Sequence, residues 1–185
     1  MRRRQPEYQL TGGLRLRAWT LADTAGLLLA MRDPLVVRYA GFLVKDRAEA
    51  ELHIQRYAAG WAAGEGPAWA ISDGPGALLG SVRFGLTDRA LGCGMVGYWL
   101  LPPARGHGVV SAAVRIGSEL VLGSLGWHRV ELRHAVENER SCAVARRCGY
   151  RLEGTMRGAM RYPSDGRWSD EHLHARLAGD PRSGS

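Results

Sequence analysis

Arg105-Gly106-His107-Gly108-Val109-Val110 is the segment of this chain best suited to hold an anion. It follows the strand-like run Gly94–Leu100 and precedes a run with helical spacing. A flexible turn that opens a helix leaves the first backbone N–H groups without intrahelical partners, and the positive end of the helix dipole adds to them. Phosphate or pyrophosphate is the ligand such a turn suits. Two glycines alone equally suit a tight turn under a closely packed helix, so the neighbouring residues must discriminate. A nucleotide phosphate loop needs a lysine and a hydroxyl where His107-Gly108-Val109 stands. A dinucleotide fingerprint needs a third glycine where Ser111 stands, and it belongs near the first strand, whereas this turn comes late.

Other reactive residue types form weaker patterns. No Gly-x-Ser-x-Gly nucleophile turn is present. His172 and His174 share a strand face, but two histidines without another placed ligand do not establish zinc, and no metal is expected. Cys93, Cys142 and Cys148 are odd in number and lack C-x-x-C spacing, which suits a reducing cytoplasm. Cys148, beside a helix end, reads as a small buried side chain rather than a nucleophile.

These residues must be positioned by a chain of 185 residues, enough for one sizeable core. Its composition, 45% hydrophobic and 23% charged, is that of a soluble globular protein. No run approaches the roughly 18 apolar residues of a membrane span, and the basic start MRRRQPEYQL has no apolar stretch behind it to make a secretory signal. The net charge of +7 comes almost wholly from arginine, Lys45 being the sole lysine. The basic residues are scattered, so a general surface charge is expected rather than direct nucleic-acid reading; an anionic cofactor, an acidic protein or ribosomal RNA would still be attracted.

Alternation predicts a strand over Leu14–Trp19. Thr20 with Asp23 caps a helix over Leu21–Met31, which Asp33-Pro34 ends. Asp46 and Glu49 cap a second helix running to about Ala59. Ala68–Ile71 and Leu78–Leu86 form strands around the break SDGPG, and a third strand spans Cys93–Leu100. The glycine turn starts a helix reaching about Leu125, with Val109, Ala113, Ile116 and Leu120 as its core stripe and Gly126 closing it. A strand over Arg129–Val136, a short helix over Ser141–Cys148, and strands over Tyr150–Met156 and His172–Leu177 complete an α+β order. Residues 1–13 are expected to form an N-terminal extension, 14–178 one layered domain, and 179–185 a flexible tail.

On these residues the chain resembles the GNAT superfamily of N-acetyltransferases, in particular the branch that acetylates the N-terminal amine of ribosomal proteins. The family signature, Gln/Arg-x-x-Gly-x-Gly/Ala at the head of a helix, matches at Arg105–Val110, with Val110 departing at the last position. Val136–Arg157 is similar to the branch's asparagine, short helix, Gly-aromatic and Glu-Gly sequence, at Asn138, Ser141, Gly149, Tyr150, Glu153 and Gly154. LRLRAW…D and GMVGYWLLPPARGHG are similar too, so the resemblance covers roughly Leu14 to Leu177.

The resemblance implies a mixed central sheet flanked by helices, with acetyl-CoA between two splayed parallel strands, Cys93–Leu100 and Arg129–Val136. It implies that the N–H groups of Gly106, His107, Gly108, Val109 and Val110 receive the pyrophosphate, with Arg105 either adding charge or simply solvated. Backbone N–H near Val96, Gly97 and Tyr98 would polarise the thioester carbonyl. Asn138 either bonds the cofactor arm or caps the short helix. Ser141 either protonates the departing thiolate or serves as a helix-start hydroxyl. Glu153 is the acidic residue that the resemblance favours as base, unless it pairs with an arginine, in which case a water chain suffices. Glu137, Glu139, Asp170 and Glu171 have less support for that role.

The implied reaction is acetyl transfer to a primary amine: a protein N-terminus, an aminoglycoside, a polyamine or an amino-acid-like metabolite. Trp61, Trp69, Trp99 and Tyr162 either line the acceptor groove or anchor the core. A non-catalytic acyl-CoA sensor on the same fold is the alternative. A cytoplasmic homodimer, with ribosomal association and no membrane partner, completes the expectation.

Overall fold

A computed structural model describes residues 4–74 and 76–181. The start of the expected extension, residues 1–3, and the end of the expected tail, residues 182–185, lie outside the described residues. The strands are β1 (Tyr8–Gln9), β2 (Arg15–Ala18), β3 (Ala68–Ser72), β4 (Leu78–Asp88), β5 (Cys93–Leu100), β6 (Arg129–Ala135), β7 (Arg151–Arg161) and β8 (Trp168–Leu177). The helices are α1 (Thr24–Ala30), α2 (Pro34–Tyr39), α3 (Arg47–Ala63), α4 (Val109–Glu119) and α5 (Glu139–Arg147). One sheet carries the strands in the order β1-β2-β3-β4-β5-β6-β8-β7. Every neighbouring pair is antiparallel except β5–β6, which is parallel.

Around β3 both sheet faces are covered. Trp69 and Ile71 of β3 pack with Val82, Phe84, Val109, Ala113 and Leu132, on the side of α4 and α5. Their alternate neighbours Ala68 and Ala70 pack with Leu27, Ala30, Val36, Ile54 and Trp99, on the side of α1–α3. The period of two along a strand thus feeds two cores from one segment, and all five residues of β3 are buried.

Capping starts the helices where the sequence places them. The Asp23 carboxylate accepts from the Thr20 N–H (2.9 Å) and hydroxyl, although the first turn, Leu21–Asp23, is 3-10 and regular α-helix begins at Thr24. Asp46 accepts from the Glu49 N–H at 2.9 Å while Glu49 accepts from the Lys45 N–H at 2.8 Å. Together these bonds open α3, which runs past the expected end, to Ala63.

Three expectations need correction. Asp33-Pro34 ends the first helix but also begins α2: the Asp33 side chain accepts from the N–H groups of Leu35 and Val36, and proline is pre-shaped for the first helical position. The expected N-terminal extension contributes to the sheet, because Tyr8 and Gln9 pair with Leu16 and Arg15 and the Gln5 side chain donates to the Ala68 carbonyl. The last two strands are longer than alternation shows, since β7 is exposed along most of its length and carries no apolar period to read. At the other long helix, α4 tightens against β4 at Gly117, where a Cβ would stand 2.1 Å from the Phe84 ring. It then passes into a π turn, Leu120–Ser124, before Gly126.

Candidate functional site

The β5–β6 pair supplies the opening. Cys93, Gly94 and Met95 are in register with Arg129, Val130 and Glu131, and the pairing stops there. Beyond that point β5 follows β4 up to Leu100, whereas β6 follows β8 up to Ala135. The two strands no longer pair over this stretch, and Val96, Gly97 and Tyr98 lie where β5 has parted from β6.

A cleft of about 830 Å³ lies at this divergence, bounded by β5, the glycine turn with the head of α4, α2 and α5. Gly106 and Gly108 have φ of +84° and +71°, values that favour glycine, and a Cβ on either would meet open space. The Gly108 carbonyl accepts from the Ala112 N–H at 3.0 Å, so the N–H groups of Val109, Val110 and Ser111 precede the first intrahelical bond. Val109 and Val110 are buried in the core cluster, and both, with Ser111, also border the cleft at the first turn of α4. Val110, the residue that departs from the family signature, thus belongs to the core cluster while also bordering the cleft.

Of the candidate residues, Tyr98, Arg105, Gly106, Gly108, Val109, Val110, Asn138 and Ser141 line this cleft; Val96, Gly97, His107 and Glu153 do not. The Val96 side chain packs in the core instead, and His107 is exposed on the turn. Asn138 caps α5, its Oδ1 accepting from the Ser141 N–H at 3.3 Å. Ser141, buried, stands in the first turn of α5 on the cleft wall. Burial drives the Tyr98 phenol far above its ordinary pKa, with Ser141 opposing that rise. Arg105, partly exposed on the cleft wall, is held by partners within the fold. It donates to Asp33 at 2.6 Å and to the Leu100 carbonyl at 2.9 Å, tying the turn to the cap of α2. Burial would raise the Asp33 carboxyl, but hydrogen bonds from Arg105 and from the Val36 and Leu35 N–H groups outweigh it and hold the group ionised.

Glu153 is engaged elsewhere. Arg129 grips it with two hydrogen bonds, and that pairing lowers its pKa. Two carboxylates that the resemblance supports less do reach the cleft, Glu137 and the exposed Glu139 in the first turn of α5. Glu137 is the more constrained. It accepts from Tyr162 Oη, from Arg38 Nη2 at 2.9 Å and from Ser169 Oγ at 3.0 Å. Those bonds, Tyr162's first, hold it down at about 2, too low for a proton acceptor near neutrality. Sequence reasoning misses Arg140 and Arg147. Both are exposed on the α5 wall of the cleft, and neither pairs with a carboxylate among the described residues. They stand close to two helical turns apart, at about 3.6 residues per turn, and so share one face of α5. A scattered charge pattern hides that pairing, but a helix register counted from the Asn138 cap reveals it. Among the aromatic residues, Trp69 is a core anchor donating to the Pro6 carbonyl, whereas Trp99 is a buried residue that also borders the cleft.

Comparison with known proteins agrees with this geometry. The acetyltransferase (GNAT) domain model matches residues 13–151, three quarters of the chain. YdaF of Bacillus subtilis (strain 168), a protein named for ribosomal N-acetyltransferase activity, is 32% identical over 85 residues, 46% of each chain. The match thus spans about half the length of that curated relative. Among solved structures, the ribosomal-protein-S5-alanine acetyltransferase of Vibrio fischeri superposes with a TM-score of 0.84 at 17% identity, over 95% of this chain and 98% of the other. RimL, a ribosomal L7/L12 alpha-N-protein acetyltransferase in complex with coenzyme A, gives 0.83 at 22% identity, over 93% and 98%. At these identities the structures speak for the fold, which they share over nearly its whole length. With the domain model matching most of the sequence, the chain belongs to the GNAT family of acetyl-CoA-dependent N-acetyltransferases.

Proposed function

We propose that this protein acetylates a primary amine in the cytoplasm, the N-terminal amine of a ribosomal or other protein being the favoured acceptor. The observation that carries this reading is the parting of β5 from β6 directly beside the amide-rich head of α4. Acetyl-CoA fits there on two grounds: α4 offers unpaired N–H groups for a pyrophosphate, and the separated strands offer peptide groups to an amide-bearing arm. Bound acetyl-CoA would supply an activated acetyl thioester and a thiol leaving group.

The chain's own groups then have distinct tasks. The N–H groups of Val109, Val110 and Ser111 bind the pyrophosphate, while Arg140 and Arg147 add positive charge along the α5 wall. Backbone N–H on the parted stretch, residues 96–98, orients and polarises the acyl carbonyl. Ser141, with Tyr98 beside it, holds the proton for the leaving sulfur at its Oγ. With Glu137 made too weak a base by its partners and Glu153 paired to Arg129 away from the cleft lining, the amine proton leaves through water. The relatives named for ribosomal proteins support a protein N-terminus as acceptor.

Mass spectrometry of products after offering acetyl-CoA with peptides, aminoglycosides and polyamines tests this. Acetylated peptide N-termini are expected. Acetylation of only small amines would redirect the acceptor, and tight acetyl-CoA binding without transfer to any amine would favour a sensor.

A further inference from the structure

Between β6, β8 and α5, away from the cleft lining, His134, Cys142, His172 and His174 converge. One ligand atom from each lies within 4.8 Å of all the others. The sheet register brings the three histidines together: His134 stands opposite His172 across β6–β8, and His174 follows on the same face. Cys142 reaches them from α5. His134, Cys142 and His174 are buried, at 5%, 8% and 0% exposure.

The hydrogen bonds around the cluster fix which ring nitrogens carry protons. His134 Nδ1 lies 2.9 Å from the Ala135 carbonyl and His174 Nδ1 lies 3.4 Å from the Tyr150 carbonyl. A carbonyl oxygen only accepts, so both Nδ1 atoms carry the proton, and in neutral rings both Nε2 atoms are lone pairs. Those two Nε2 atoms face each other at 3.3 Å, with Cys142 Sγ 3.9 Å from His174 Nε2. Two lone pairs pointed together in a buried place repel unless a cation lies between them. His172 adds a buried Nδ1 with no hydrogen-bond partner.

We infer that His134, Cys142, His172 and His174 form a closed four-ligand site for a zinc-class divalent cation. Zinc–nitrogen bonds of about 2.0–2.1 Å and a zinc–sulfur bond of about 2.3 Å in a tetrahedron put nitrogens roughly 3.3 Å apart and nitrogen and sulfur roughly 3.6 Å apart. The observed 3.3 and 3.9 Å are close to these values, and separations of up to 4.8 Å elsewhere in the cluster must close by roughly 1.2–1.5 Å on binding. Three imidazoles and a thiolate suit zinc or cobalt; no carboxylate belongs to the cluster, as calcium or magnesium would require. The carbonyls behind His134 and His174 are the outer partners that orient ligating imidazoles. Binding replaces the thiol proton, which leaves to solvent. Four protein ligands leave no open position, so the site is structural. It fastens α5, which carries Ser141 and begins at the Asn138 cap, to the sheet strands β6 and β8.

The test is titration of chelator-treated, reduced full-length protein with cobalt(II) chloride, followed by displacement with zinc chloride. One cobalt per chain is expected, with a sulfur-to-cobalt charge-transfer band and a raised melting temperature. Cys142→Ser should abolish the band. His172→Gln, at the most exposed of the four positions, should weaken zinc binding at least about tenfold. His128→Gln, on an exposed histidine outside the cluster, should bind as the unaltered chain. Absence of cobalt uptake, uptake without the sulfur band, or affinity indifferent to both cluster substitutions would each overturn the site. The wild-type titration decides the matter even where a variant does not fold.

Discussion

Replacing Gly108 with aspartate should separate electrostatics from shape at the head of α4. Gly108 has φ +71°, and its missing Cβ points into open space, so a side chain there enters solvent or the cleft rather than the core. Aspartate and asparagine are among the residues that tolerate this left-handed backbone, so both variants carry a similar conformational cost of about 1 kcal/mol. What distinguishes them is charge. With a carboxylate roughly 6 Å from each phosphate and an effective dielectric near 40, each repulsion comes to about 1.4 kcal/mol, hence about 3 kcal/mol for two. That corresponds to a Kd for acetyl-CoA raised roughly 100-fold in Gly108→Asp relative to Gly108→Asn. Isothermal titration calorimetry at two ionic strengths reads it, with circular dichroism confirming both folds. The gap should shrink when salt is raised from about 0.1 to 1 M, because the screening length falls from about 10 to 3 Å. Equal affinities in the two folded variants, or a gap indifferent to salt, would refute pyrophosphate binding at this turn.

Ser141→Ala should lower kcat by about 100-fold while leaving the Kd of acetyl-CoA within about twofold, measured by free-thiol release and calorimetry; equal losses in both would make Ser141 a binding or packing residue. Glu153→Gln should change kcat by no more than about twofold and leave the acidic limb of the pH–rate profile in place, with a stability cost below about 1 kcal/mol. Removal of that limb would reinstate Glu153 as the base. Asp23 is 4% exposed, and although burial would raise its carboxyl, the hydrogen bonds from Arg17 and Thr20 outweigh it and lower its folded-state pKa. A lowered folded-state value means that its contribution is complete above the unfolded pKa of about 3.9 and is lost as pH falls through the folded one. Urea unfolding of Asp23→Asn should therefore show reduced stability near neutrality and a weaker acid-induced decline below about pH 4 than the unaltered chain.

The glycine turn, the strand over Cys93–Leu100 and the caps at Thr20, Asp46 and Asn138 were legible because each is a local matter. A left-handed backbone selects glycine, a half-buried strand selects alternation, and an unpaired N–H selects a short oxygen-bearing side chain. The half of β7 beyond Met156 was not legible because the strand is exposed along most of its length, so burial wrote no period into it. Pro34 does double duty, stopping one helix and starting another, and which role shows depends on whether Asp33 turns its carboxylate toward Val36.

The residues' own chemistry thus specified the glycine turn that opens α4 and the hydroxyl and amide, Ser141 and Asn138, that open α5. Tertiary structure alone decided how the charges are spent: Arg105 on Asp33, Arg129 on Glu153, and Tyr162 with Arg38 on Glu137. It alone joined His134 and Cys142 to His172 and His174. The reason is physical: capping and turns are contests among atoms a few residues apart, whereas ion pairing and metal-ligand convergence depend on distances that exist only once the strands have chosen their neighbours.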